Sequence, residues 1–143
     1  MKKIARTALL PYSAEKIFAI VNNVAAYPDF LPWCGESEII SETTSEMIAS
    51  VTIAKAGIKQ KFQTKNHLVP GQRIEMQLVD GPFKYLKGEW MFKVLDEDAC
   101  KIQFEVEFEV SSGLLNAAIG PIFEQISTTL VDSFCERAKQ VYG

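Results

Sequence analysis

The chain has 143 residues, 48% of them hydrophobic and 23% charged, with a formal net charge of −3. That is enough apolar content for one packed domain over residues 1–143 and too much for a disordered chain. Three cysteines, Cys34, Cys100 and Cys135, stand far apart with no CxxC spacing, which excludes a complete internal disulfide framework and points to a reducing compartment.

The N-terminus MKKIARTALLPYSAEK has no apolar run long enough for a signal peptide. No segment approaches the ~20 apolar residues of a membrane span, so a cytoplasmic protein is expected. Charge is segregated along the chain. Residues 55–93 carry eight basic and three acidic side chains, a local charge of +5, whereas residues 94–143 carry three and nine, a local charge of −6. A polarised chain can offer a basic surface to an anionic partner despite its acidic total.

Lys2 to Leu10 reads as a first strand, stopped by Pro11. Ser13 caps a helix on which Ile17, Ile20, Val21 and Val24 recur at helical spacing. That helix is expected to end before Pro28. The stretch AAYPDFLPWCGES, Ala25 to Ser37, gathers aromatic side chains between two prolines. Proline lacks the backbone donor that a long helix or a central strand needs, so it reads as an aromatic loop whose side chains require a cover.

From there the period is two. Met47, Ala49, Val51 and Ile53 alternate with Ser50 and Thr52. Ile58, Phe62 and Leu68 alternate with Lys59, Lys61, Lys65 and His67. Ile74, Met76 and Leu78 alternate with Glu75 and Gln77, and Trp90, Phe92 and Val94 with Glu89 and Lys93. Cys100, Ile102, Phe104, Val106, Phe108 and Val110 face Lys101, Gln103, Glu105, Glu107 and Glu109. Such patterns predict antiparallel strands with one buried and one wet face, joined at Pro70–Gly71 and Asp80–Gly81–Pro82.

The end returns to helical period. Leu115, Ile119, Ile122, Phe123, Ile126, Leu130, Phe134, Ala138 and Val141 trace one apolar stripe, with a bend or a fresh start at Gly120–Pro121. The expected architecture is α+β: a curved antiparallel sheet of six to seven strands around a long C-terminal helix. Gln60, Thr64 and Asn66 share the inward face of Phe62. They suit either a cavity holding a ligand or bonds to backbone and water.

No nucleophile elbow, dinucleotide fingerprint or P-loop is present. His67 stands alone on the wet parity, and Glu105, Glu107 and Glu109 are solvated. No catalytic residue and no metal site can therefore be named. Lys59, Lys61 and Lys65 put three ammonium groups on one side of one strand. They serve either solubility and the protection of an edge strand or contact with phosphates of RNA or anionic lipid.

TALLPYSAEKIF, YPDFLPWC, AKAGIKQKF, LVDGPFKYLKGEW and the helix ending RAKQVYG resemble, in order and over the whole chain, one known group. It is the ribosome-association toxin and coenzyme Q-binding START-domain family, within the polyketide cyclase/lipid-transfer superfamily. The resemblance implies a helix-grip fold with a hydrophobic tunnel between sheet and helix. Tyr27, Phe30, Leu31 and Trp33 would form a lid over its mouth or, as ordinary core, a plug at one end of the barrel, with Pro32 and Cys34 in the same signature. Phe83 and Trp90 would approach from the opposite rim. Ile119, Phe123, Ile126 and Leu130 would form one wall, and Phe62, Met76, Leu78, Phe92 and Phe104 the other.

Two functions follow. The leading one is non-enzymatic binding of a hydrophobic ligand, a polyprenyl quinone such as ubiquinone or a related lipid, in support of respiration, with peripheral contact to the inner membrane. The alternative is association with the large ribosomal subunit that blocks subunit joining, with Lys59, Lys61 and Lys65 facing rRNA. The superfamily also contains aromatic cyclases. No cofactor is expected beyond the bound quinone or lipid.

Overall fold

The computed structural model describes residues 1–143, except for the side chains of residues 115 and 116; Leu115 of the predicted stripe therefore lies outside the described residues. In chain order it runs β1 (Lys2–Leu10), α1 (Ala14–Asn22), a 3-10 turn (Val24–Ala26), α2 (Tyr27–Phe30), β2 (Cys34–Glu42), β3 (Glu46–Lys55), β4 (Ile58–Val69), β5 (Arg73–Asp80), β6 (Phe83–Asp96), β7 (Ala99–Val110), α3 (Leu114–Ala117) and α4 (Ile119–Tyr142). The strands form one antiparallel sheet in the order β1-β7-β6-β5-β4-β3-β2. It curls around α4, whose Ile119, Phe123, Ile126, Val131, Phe134 and Ala138 are buried.

Local chemistry accounts for the element ends. Ser13 Oγ accepts from the Lys16 amide at 3.2 Å, satisfying one of the free donors that open α1. α4 starts afresh at Ile119 with Gly120 and Pro121 in its first turn, where proline costs no hydrogen bond. Tyr142 closes the far end. Its hydroxyl donates to the Lys16 carbonyl at 2.9 Å, and its ring lies 5.8 Å from that of Tyr12.

Four expectations need correction. The aromatic stretch is a loop only over residues 31–33: before that it makes a 3-10 turn and then one turn of helix, with Pro28 at its start, where the missing N–H is tolerated. Val94 is 66% exposed and Val141 51% exposed. Val94 keeps the inward parity opposite the buried Cys100 but stands two residues from the end of β6, and on α4 the buried row passes through Ala138 to Tyr142, leaving Val141 beside it. Ser50 and Thr52, on the outward parity, are buried all the same. Their cross-strand partners are Glu38 and Gln63, and Glu36 and Lys61, long side chains that cover short ones. Finally, β4 stands third from the β2 edge, so its lysines guard no edge.

Candidate functional site

Between α4 and the concave face of the sheet lies a hollow of about 90 Å³. The sheet lines it with Ala49 and Val51 of β3, Phe62, Thr64 and Asn66 of β4, Met76 of β5, Leu86, Gly88 and Trp90 of β6, and Phe104 and Val106 of β7. α4 adds Phe123, Ile126, Ser127, Leu130 and Phe134; the turn and α2 region adds Val24, Tyr27 and Trp33. None of these side chains carries a charge. The walls are aromatic on two sides. Trp90 stands 4.4 Å from Phe104 and 5.3 Å from Phe134, centroid to centroid, while Phe123 stands 4.9 Å from Phe83 and 4.7 Å from Phe108. The Trp90–Phe104 pair is tilted and the other three are edge-to-face, contacts that favour particular ring orientations and so oppose collapse of the hollow.

The stretch before β2 is pinned over one side. The Tyr27 hydroxyl donates to the Val21 carbonyl, the Trp33 carbonyl accepts from Ala54 N–H at 2.7 Å, and the Tyr27 carbonyl accepts from Leu31 N–H at 2.9 Å. Ser37 Oγ donates to the Val24 carbonyl at 2.7 Å. Burial, and then the neighbouring Cys34, push the Tyr27 phenol well above its ordinary range. Burial pushes the Cys34 thiol up to about 11. Neither group ionises near neutrality; of the two only Tyr27 lines the hollow. Among the described residues, no group of His, Cys, Asp and Glu could hold a metal ion.

Nine of the fifteen side chains expected to surround a ligand meet at the hollow: Tyr27, Trp33, Phe62, Met76, Trp90, Phe104, Phe123, Ile126 and Leu130. Six do not. Phe30 sits outside, edge-on to Phe134 at 5.7 Å, with the Arg137 guanidinium 4.8 Å from its ring centroid. Leu31 and Ile119 are sealed in the core at 1% and 0% exposure. Phe92 packs edge-on to Phe18 of α1 at 5.3 Å. Phe83 joins Phe62, Phe108 and Phe123 behind the wall, and Leu78 packs against the core near Gly81. Thr64 and Asn66 do face the hollow; Gln60, on the same parity, does not line it. The residues that sequence reasoning missed, Ala49, Val51, Leu86, Gly88, Val106, Ser127 and Phe134 among them, continue the parity of β3, β6 and β7 or the i, i+4 row of α4. Completing those rows would have found them.

On the outer face, Lys59, Lys61 and Lys65 are exposed as expected. Lys65 reaches Glu46 at 3.5 Å, while Lys59 and Lys61 make no ion pair among the described residues.

A long helix gripped by a curled antiparallel sheet, with an apolar hollow between them, defines the helix-grip class of START-like proteins. The fold matches a Streptomyces aromatase/cyclase with a TM-score of 0.84 at 15% identity, covering 97% of this chain and 94% of that one. A START superfamily protein of Mycobacterium smegmatis matches at 0.80 and 19% identity, over 97% and 98%. The family model for polyketide cyclase/dehydrase and lipid transport matches residues 10–135, and the chain belongs to that family. Within it, the chain is 51% identical over 140 residues to the ribosome association toxin RatA of Pseudomonas aeruginosa, covering 98% of this chain and 97% of that one. Its identity to the RatA of Vibrio cholerae is 50% over 143 residues, covering 100% and 99%. It is 24% identical to the mitochondrial coenzyme Q-binding protein COQ10 homolog B of Xenopus laevis, over 97% of this chain and 59% of that one.

Proposed function

We propose that the protein acts by associating with the ribosome, as a non-enzymatic factor that meets the RNA of the large subunit through the outer face of β4 and obstructs subunit joining. The observation that carries this reading is the identity of about half, end to end, with proteins named for ribosome association. Lys59 and Lys61, exposed and free of ion pairs among the described residues, supply the charge that backbone phosphates need. Among the described residues that line the hollow none ionises near neutrality, which supports a binding role over catalysis. This reading places the protein in the cytoplasm; among the described residues no helix is long and apolar enough to cross a membrane.

The test is sedimentation of ribosomes with the purified protein, wild type against K59E/K61E. The wild type should raise the level of free subunits, and removal of each lysine–phosphate pairing should lower the salt slope of binding by ~0.9. Unchanged free subunits with saturating wild-type protein would remove the reading.

A second reading, that the hollow takes an apolar ligand, is favoured by its aromatic walls. At about 90 Å³ it is well below the roughly 300–1,000 Å³ of pockets that enclose drug-sized ligands. A polyprenyl quinone would therefore need the Tyr27–Trp33 stretch to move aside. Extraction of the purified protein from a quinone-producing host, followed by mass spectrometry, tests that version; a clean extract counts against it.

A further inference from the structure

Past the pair Gln77–Lys87 the β5–β6 ladder stops, although β5 runs on to Asp80 and β6 begins at Phe83. Both strands are bulged over that interval. Val79 is the extra residue between the pairs Thr64–Leu78 and Gln63–Asp80. Lys84 is the extra residue between Phe83–Val110 and Tyr85–Glu109. A bulge re-aims the side chain it carries. Val79 is 51% exposed, and Lys84, which the parity of Leu86 would turn inward, is exposed together with Tyr85. Where the strands part, a groove of about 400 Å³ opens between Gln77 and Leu78 on one side and Lys84, Tyr85, Leu86 and Lys87 on the other, a size that takes a compact organic group.

Tyr85 is 38% exposed, and no other aromatic side chain among the described residues is as open. Its ring meets no other ring, and its hydroxyl has no hydrogen-bond partner among them. The charge around it is positive on one side. Lys84 and Lys87 are exposed and make no ion pair among the described residues. Lys65, Gln77 and Lys87 form one cross-strand row, so the lysine face of β4 leads directly to the groove; with strands roughly 5 Å apart, the backbones of Lys65 and Lys87 are about 10 Å apart. On the far side Glu107 and Glu109 of β7 stand opposite Lys87 and Tyr85, and Glu107 is held by Lys3 at 3.5 Å. A polyanion is therefore admitted from the β4 side and turned away from the β7 side.

We infer that this groove takes an unpaired nucleotide of the ribosomal RNA, its base stacked on Tyr85 and its flanking phosphates held by Lys84 and Lys87. The Gln77 amide, donor and acceptor at once, stands at the edge of the base. A single strand is required, because the bases of a duplex already stack on one another and only splayed ones offer a free face. A lipid surface fits less well: the ring sits in a groove among charged groups, not on a projecting apolar tip. This rests on the ribosome association proposed above and names the RNA element that the outer face meets.

The test uses the full chain with large ribosomal subunits, and with a short oligoadenylate either single-stranded or annealed to oligouridylate. Tyr85→Ala should weaken binding to subunits and to the single strand at least about fivefold, with the salt slope unchanged. Tyr85→Phe should stay within about twofold of wild type. Tyr85→Thr, a good strand former, repeats the loss in a variant that keeps the sheet. Lys84→Gln with Lys87→Gln should lower the salt slope by ~0.7 per lysine. Wild type should prefer the single strand to the duplex, and Tyr85→Ala should lose that preference. If the tyrosine variants all bind as wild type while K59E/K61E still weakens binding, the groove holds no base and the ribosome reading stands without it. Equal loss in Tyr85→Phe and Tyr85→Ala would trace to the hydroxyl and overturn stacking. Loss of binding to phosphatidylglycerol/phosphatidylcholine vesicles in Tyr85→Ala, with subunit binding intact, would make the groove a lipid contact and overturn it too. If the wild type binds no subunits, both readings fall.

Discussion

Gly88 stands on β6 between Leu86 and Trp90 and opens on the hollow. A Cβ at this position would lie 2.6 Å from the Met76 Cε, with Glu105 O and Val106 Cγ2 at 3.7 and 3.8 Å. The one close encounter is therefore with the free end of an unbranched thioether, the side chain best able to move. For Gly88→Ala three terms matter. Restricting the unfolded chain stabilises by ~0.4–1 kcal/mol. The newly buried methyl contributes ~0.8 kcal/mol, and driving Met76 off its preferred rotamer costs ~0.5–1.5 kcal/mol. They nearly cancel, so the melting temperature should stay within about 4 °C of wild type. The hollow, in contrast, should shrink. A methyl is close to a water in size, whose share of liquid volume is ~30 Å³, so about a third of the space goes. Calorimetry and the affinity for a small apolar probe such as methylenecyclopentane, read by NMR from the Ile126 and Met76 methyl groups, together decide the matter: near-native stability with at least about tenfold weaker probe binding is expected. Destabilisation beyond about 2 kcal/mol would mean that Met76 has nowhere to go, and the interior is filled flush.

Gly81 makes the contrasting case. At φ 147° a Cβ would sit 2.6 Å from Phe62 Cβ and 3.2 Å from its Cα, with no flexible end to yield, so Gly81→Ala should cost ~2–4 kcal/mol in urea melts. Ala56 and Gly57, both at positive φ (54° and 79°), make the two-residue turn between β3 and β4. Asparagine tolerates that conformation better than alanine, and Ala56→Asn should raise the urea midpoint by the equivalent of ~0.5–1 kcal/mol with m unchanged. Burial raises the Cys34 thiol from its ordinary 9.0 to about 11, so the folded chain keeps a proton that the unfolded chain releases above pH 9. Stability therefore falls as pH climbs from about 9 to 11; Cys34→Ala should flatten that decline, and an unchanged slope would refute the linkage.

β7 was legible almost residue by residue: Cys100, Ile102, Phe104, Val106 and Phe108 are all at most 3% exposed, because a strand with one wet face writes its orientation into every second position. The limits of β1, the Ser13 cap and the restart at Gly120–Pro121 were legible for similar local reasons. Parity names a face, however, and not the place along that face. Phe92 and Trp90 share one side of β6, yet Phe92 lies under α1 against Phe18 and only Trp90 reaches the hollow. That division depends on where α1 crosses the sheet, a long-range fact. Val94 escaped because it keeps the inward parity, opposite Cys100, yet stands two residues from the end of β6, and parity does not say where along a strand the cover ends. Ser127 escaped because the helical stripe was traced through apolar residues, so a hydroxyl one turn beyond Phe123 was left out of it.

Strand period two also keeps the two candidate surfaces apart. β4 carries Lys59, Lys61 and Lys65 outward and Phe62, Thr64 and Asn66 inward, so one layer of backbone separates the lysine face from the hollow. Side chains on opposite faces share no partner, and changes to them should add within about 0.5 kcal/mol. The pair Lys61→Glu and Ser127→Ala turns this into a measurement. Ribosome binding should respond to the first alone and binding of a small apolar probe in the hollow to the second alone, with the double variant showing both effects unamplified. Ser127 lies on α4 and contributes nothing to the outer face. If its alanine variant weakened ribosome binding, the occupant of the hollow would have to set the curvature of β4, and the two readings would describe one coupled site.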